Sequence, residues 1–410
     1  MESSDTNNTS VTVTKCRSDL CEIRVYETEV IVVPVLLVAV SLIVGSCILR
    51  QICRKKRETQ REPNPRTARG GGQTIPMDDR DVPPFPRRSV SDPTPLPQIP
   101  RDRIDGEMVK ICEGRYGPIY RSYLLSDSGT RGKEIAVKSL RVDAGSREEA
   151  EFVATMRFLR FVGPHGNVAD FLGCSPDEPP LYFCQSYMRC RELLSFLWEC
   201  RKDVIKMEGV VYDLTEKQVY KLAADVARGL VFLHGKGIIH GNVAARNVLL
   251  SDALEARISG FQTARRILGF GAPEPLHVLP RKWSSPEILT RQTLTPKTDV
   301  WSFGILLYEL ITLGSPPYPD VLCNDILQFL QRGNIQSRPG NCRTHLYGLM
   351  RESWRWREGS RPSMATMLSG LVEGGAEADD RNVLRVPELI DPQSYALTTG
   401  INPSSDLTAL

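Results

Sequence analysis

Between residues 104 and 372 the hydrophobic period of the chain is mainly strand-like before Glu192 and helical after it, and that order constrains the fold more than any other feature. Up to residue 192 the apolar residues come in short strand-like runs, "KICEGRYGPIYRSYL" and "EIAVKSL", bounded by glycine and polar turns. One amphipathic stretch, "SREEAEFVATMRFLRFV", interrupts them at helical spacing. After Glu192 the spacing is helical, as in "LTEKQVYKLAADVARGLVFLH" and "DVWSFGILLYELITLG". Strands first and helices afterwards predict an α+β, bilobal fold, with a small β-rich lobe followed by a large α-rich one. The composition supports a core of that size, with 410 residues, 41% hydrophobic and 25% charged. A net charge of +3 gives no reason to expect a nucleic-acid partner.

Ahead of this region, residues 30–49 read "VIVVPVLLVAVSLIVGSCIL", with no ionisable side chain except Cys47. About 20 such residues reach across a bilayer core, and a transmembrane helix is the expectation. A buried core helix is the alternative, but it would need a polar face, and only Ser41 and Ser46 supply one. An acidic "YETE" lies on one flank, and Arg50, Arg54, Lys55, Lys56 and Arg57 lie on the other. Positive charge stays inside, so a single pass is expected, with residues 1–29 outside and the rest cytoplasmic. Two features fit an outer N-terminus: glycosylation sequons at Asn7 and Asn8, and Cys16 and Cys21 close enough to pair. A solvated tail with unpaired thiols fits them equally. Cys47 and Cys53 at the boundary suit either palmitoylation or packing.

Residues 50–103 turn basic and then proline-rich, with ten prolines from Pro63 to Pro100, and are expected to be a disordered tether. Within it "PPFPRR", Pro83 to Arg88, has the PxxPxR form that SH3 grooves accept. "RSVSDP" after it has the form that phosphoserine readers of the 14-3-3 type accept once Ser91 is phosphorylated. Both patterns also arise by chance in such a linker. From residue 373 to 410 the periodicity fades, and a mobile tail is expected.

Three further segments carry a resemblance. "LPRKWSSPE", "DVWSFGILLYELITLGSPPYP" and "SWRWREGSRPS" follow one another in the order and spacing of the tyrosine branch of the protein kinases. "HGNVAARNVLL" resembles the catalytic loop of that branch. Residues 104–372 are therefore identified as a member of the protein kinase family. The resemblance implies an ATP-shaped cleft. Its glycine-rich turn is "CEGRYG", with Gly114 and Gly117 in place and Cys112 where the first glycine is expected. Lys138 takes the position of the phosphate-gripping lysine, and Ile111, Ile119, Ala136 and Leu249 match the apolar walls of the adenine slot. These apolar residues also suit an ordinary core. The glutamate that pairs with that lysine is in doubt: ungapped counting reaches Thr155, and Glu151 lies one turn earlier. Gln185 stands as gatekeeper, and Arg191 replaces a glycine at the ribose end.

The chemistry departs from the family at its two carboxylates. Asn242 stands where the catalytic aspartate belongs, and an amide has no useful basicity, so about 10² to 10⁴ in rate should be lost there. Gly260, in "SGFQ", stands where the aspartate of D-F-G would hold magnesium. Asn247 remains as a metal contact, but one neutral amide cannot hold Mg²⁺ against triphosphate charge. Gly241 replaces an arginine, and no tyrosine lies between Gly260 and Glu287, so both halves of the usual activation switch are missing. Glu287 with Arg361, and Asp299 with Trp301, match the family's structural residues.

Two readings follow. One is a membrane-tethered pseudokinase that recruits cytoplasmic signalling proteins, with ATP as a possible ligand and Mg²⁺ doubtful. The other is an atypical tyrosine kinase working weakly through Lys138 and Asn247. A ligand-binding receptor is disfavoured, because 29 outer residues leave no room for a folded ligand domain.

Overall fold

The computed structural model describes residues 95–176, 178–202, 206–207, 210–211, 213–266, 280–290 and 293–401. The chain divides into two units, Met1–Phe85 and Pro86–Leu410, and every described residue belongs to the second.

Five strands make the small lobe: β1 (Val109–Gly114), β2 (Gly117–Leu125), β3 (Arg131–Ser139), β4 (Gly173–Ser175) and β5 (Tyr182–Ser186). They form an antiparallel sheet in the order β1-β2-β3-β5-β4. Alternation along β3 assigns its two faces. Ile135 and Val137 join Ile104, Tyr182 and Cys184 in one buried cluster, so Ala136 and Lys138 fall on the opposite face. Over that opposite face lies α1 (Ser146–Val162), which buries Phe152, Met156, Leu159 and Val162, with Phe152 edge-on to Phe183 at 6.3 Å.

The large lobe is helical: α2 (Leu193–Glu199), α3 (Glu216–Gly235), α4 (Pro286–Leu289), α5 (Pro296–Ile311), α6 (Ile326–Gln331), α7 (Thr344–Ser353), α8 (Met364–Glu377) and α9 (Pro392–Thr399). Helix α3 begins at Thr215, whose hydroxyl accepts the Gln218 N–H while the Gln218 amide accepts the Thr215 N–H at 2.8 Å. Helix α5 starts with Pro296 after the Thr295 cap and is buried on all sides from Thr298 to Ile311. It is the axis around which the lobe packs. Arg361 seals the lobe by a two-pronged pair with Glu287, at 2.6 and 2.8 Å, with its guanidinium 5.0 Å over the Trp301 ring. Burial alone would raise the Glu287 pKa, but the Arg361 hydrogen bonds and charge hold it below the ordinary carboxylate value. The bilobal architecture agrees with the sequence expectation.

Both ends of the domain extend beyond the periodic region. On the amino side the order reaches back to residue 95: Ile99 N–H donates to Cys174 O at 2.8 Å, and Cys174 N–H to Pro97 O at 2.9 Å, so an extended segment covers the free edge of β4. Arg101 stacks its guanidinium 3.4 Å over Tyr182. On the carboxyl side Leu384 N–H donates to Leu214 O at 2.8 Å, and Arg201 donates to Glu388 O. Helix α9 then buries Tyr395, whose hydroxyl donates to Glu309 at 3.2 Å and whose ring meets Trp198 edge-on at 5.1 Å. Residues 378–401 of the tail expected to be mobile are docked here, by contacts too distant in sequence to leave a periodic trace.

The membrane placement requires correction. Among the described residues no helix is long and apolar enough to cross a membrane, so a single-pass protein with its N-terminus outside is not supported. Residues 30–49 lie outside the described residues, as do Asn7, Asn8, Cys16, Cys21, Cys47, Cys53, Pro83 to Arg88, and Ser91.

Candidate functional site

The cleft lies between the inner face of the sheet and the strands Val248–Leu250 and Ala256–Ile258 of the large lobe. At its outer end Ile119 of β2, Met188 after β5 and Leu249 form one buried cluster, with Ile111, Cys112 and Ala169 packed against it. Ala136 is buried beside them in the sheet, opposite Gln185 in register. Three of the four apolar residues expected to wall an adenine slot, Ile111, Ile119 and Leu249, therefore fall together, and Ala136 is buried in the adjoining strand. Ile119 and Leu249 are 2% and 1% exposed, so the upper and lower walls close on each other. Cys112 adds its side chain to that closure, and burial pushes its thiol pKa above the ordinary value.

Further in, the cleft widens into a hollow of about 60 Å³ that opens partly to solvent and reaches from Gly114 and Gly117 to Lys138, Gln185, Thr155 and Gly260. Gly117 takes φ +144° because a Cβ there would lie 2.5 Å from Ser139 O, which lets the turn press onto β3. The Lys138 ammonium sits 5.3 Å over the Phe183 ring, and among the described residues no carboxylate lies within ion-pair distance of it. Glu151 instead pairs with Arg147 at 3.0 Å and Arg115 at 3.6 Å, and it is Thr155 that faces the hollow. That resolves the alternative left open by the sequence. Burial lowers the Lys138 pKa to about 8.

Below the hollow the backbone of the loop from His240 to Leu250 is held by α5. Asp299 accepts the His240 N–H at 2.8 Å, the Gly241 N–H at 2.7 Å and the His234 imidazole at 2.9 Å. Glu309 accepts the Ala245 N–H at 2.9 Å and the Trp283 indole at 3.1 Å. Gly241 holds φ +77°, in the left-handed region, which only glycine occupies freely. Arg191 also takes a left-handed φ of 58° where the family has glycine, and its exposed side chain leaves the hinge paired to Leu250 through its carbonyl at 2.8 Å.

The two degenerate carboxylate positions differ in kind. Asn242 keeps its place in the loop, its side-chain oxygen accepting from Arg246 at 2.5 Å. At Gly260 the geometry has changed. A Cβ there would lie 2.3 Å from Asn247 Oδ1 and 2.5 Å from its Cγ, so the Asn247 side chain occupies the space where an aspartate stem would stand. Asn247 is held in that position by donating to Asn242 O at 2.8 Å, and its own carbonyl accepts the Ser259 N–H at 2.8 Å. The remaining metal contact thus fills the place of the missing one. Sequence reasoning did not find this displacement, nor the link from Tyr395 through Glu309 to Ala245. A retained Asn247 opposite Gly260 was its only trace.

A glycine-rich turn over a buried lysine, a loop pinned by Asp299, and a sealed Glu287–Arg361 pair define a protein kinase fold. The chain belongs to the protein tyrosine and serine/threonine kinase family, whose description matches residues 107–371. Over most of its length it is similar to two proteins called tyrosine-protein kinase STYK1. It is 38% identical to that of Homo sapiens over 400 residues, 94% of each chain, and 36% identical to that of Mus musculus over 403 residues, again 94% of each. It is also 32% identical to a fibroblast growth factor receptor of Strongylocentrotus purpuratus over 281 residues, which is 67% of this chain and 29% of the receptor.

Proposed function

We propose that this chain is a signalling scaffold built on a tyrosine-kinase-like domain that lacks efficient phosphoryl transfer. The observation that carries the reading is the Asn247 side chain standing in the space of a Gly260 Cβ. Magnesium needs oxygen ligands, with at least one carboxylate among them, to offset phosphate charge. Gly260 supplies none, and the Asn247 amide, which donates to the loop through its nitrogen, offers only a neutral oxygen, so these residues do not fit Mg²⁺. Asn242 supplies no base for a substrate hydroxyl. ATP, if it enters, must part Ile119 from Leu249 and rely on Lys138 for its phosphates.

A scaffold needs docking elements, and the linker offers two: Pro83 to Arg88 for an SH3-type groove, and phosphorylated Ser91 for a 14-3-3-type reader. The alternative, an atypical tyrosine kinase, is favoured by the names of the two relatives and by the presence of Lys138, Arg246 and Asn247. A phosphotransfer assay on the full chain with ATP and Mg²⁺, run beside Lys138→Met, separates the two readings. No Lys138-dependent transfer is expected. Turnover that disappears in Lys138→Met overturns the scaffold reading.

A further inference from the structure

The inner hollow is built unlike a triphosphate site. Its walls are Phe152, Met156, Leu159 and Phe183, all buried and apolar. Its polar lining is the Lys138 ammonium, the Arg115 guanidinium, which pairs with Glu151 at 3.6 Å, and neutral groups from Ser139, Thr155, Gln185 and Ser259. A cation set in apolar surroundings with no counter-charge is unfavourable, and it attracts a single anion that brings its own apolar body. A triphosphate would place several negative charges against that one ammonium, with no metal to offset the rest. It would also need the outer slot, where Ile119, Met188 and Leu249 are packed together.

From this arrangement we infer that the hollow binds an organic monoanion, an apolar body carrying one carboxylate or sulfonate, with its charge on Lys138 and its body against Met156 and Phe183, and that it does so without a divalent cation. The inference rests on the reading that the metal site is closed, and it specifies the ligand class of that same cleft. Gln185 lines the same hollow and offers the neutral amide that orients the anionic head, while the Thr155 hydroxyl donates to Glu151 O at 2.9 Å and only shapes the wall. Glu151, the carboxylate that would otherwise compete for Lys138, is occupied by Arg147 and Arg115.

The charged and titratable groups around Lys138 are few. Cys112 of β1 acts on it, but its thiol is held protonated by burial, and Arg115 at the mouth of the hollow is paired with Glu151. The protonation of Lys138 itself therefore governs anion binding. Its pKa of about 8 places the loss of the ammonium just above neutrality. Binding of an anion should hold from pH 6 to 7 and weaken as the pH rises past about 8.

The probe is 8-anilinonaphthalene-1-sulfonate, an aryl monoanion whose fluorescence rises out of water, titrated into the full chain with and without Mg²⁺. N-phenyl-1-naphthylamine, of similar body and no charge, serves as control. Lys138→Met should weaken the sulfonate by about tenfold or more and change the neutral dye by less than about twofold, whereas Lys138→Arg should retain most of the sulfonate affinity. Filling the hollow with Thr155→Trp should weaken both dyes. In the unmodified chain the sulfonate affinity should fall between pH 7 and 9, and the neutral dye should not follow; this titration needs no variant to fold. Sulfonate binding that ignores Lys138→Met, that requires Mg²⁺, or that is flat across this pH range overturns the inference. Lys138-dependent turnover of ATP would instead remove the reading on which it rests, and the separate assay shows which of the two has failed.

Discussion

The large lobe and the cleft meet at one loop, and they treat their polar residues in opposite ways. On the lobe side two buried charged groups are fully engaged: Arg361 with Glu287, and Asp299 with three N–H groups. On the cleft side no carboxylate among the described residues pairs with the buried ammonium of Lys138, and the loop asparagines bond to the loop itself. A paired charge in the interior is destabilising to break, whereas an uncompensated one is destabilising to keep. The first arrangement maintains a fold, and the second is the one on which the proposed anion binding rests.

The contrast is broken most severely by removing one member of the sealed pair. Arg361→Ala leaves Glu287 buried and unpaired and should destabilise the domain by about 3–5 kcal/mol, measured by urea denaturation. Because the folded Glu287 pKa is lowered, its contribution is present at neutral pH and is lost as the pH falls through and below its unfolded value of about 4.3. The difference between wild type and Arg361→Ala should therefore narrow in acid. A constant difference down to pH 3 would show that the pair is not the source.

A smaller effect is expected at Gly260. Gly260→Asp forces a side chain onto Asn247 and should be destabilising by about 1–3 kcal/mol. Adding Asn247→Ala should recover part of that loss, with a coupling of at least about 0.5 kcal/mol in a double-mutant cycle. Strict additivity would show that Asn247 does not fill that space. At the docked tail, Tyr395→Phe removes the donor to Glu309 and should lower stability by about 1 kcal/mol, with a matching rise in proteolysis of residues 378–401.

The smallest effect, of opposite sign, belongs to Lys138. Its folded pKa lies below the unfolded value of about 10.4, so the charged lysine disfavours the folded state at neutral pH, and that penalty fades as the pH rises from about 8. Lys138→Met should raise the thermal midpoint by a degree or a few at pH 7, and the gain should vanish near pH 10. A lowered midpoint at pH 7 would mean that Lys138 has a counter-charge after all.

Much of this was legible in the letters. Asn242, Gly260 and Gly241 could be read as departures because the motif around them fixes what each position does. Glu287 and Arg361 could be paired for the same reason. The choice between Glu151 and Thr155 could not be made, since it depends on how α1 is turned over the sheet and on Arg147 and Arg115 claiming the carboxylate. Nor could the order at residues 95–103 and 378–401 be read, because their partners, Cys174, Leu214 and Glu309, lie far away in the chain.

By itself, the sequence determined the two-lobed fold, through strand-like periods before Glu192 and helical ones after it, and the absence of two carboxylates. Only the tertiary structure decided what became of the space left at Gly260. A missing side chain leaves volume, close-packed interiors do not leave volume empty, and the nearest group able to turn into it was Asn247.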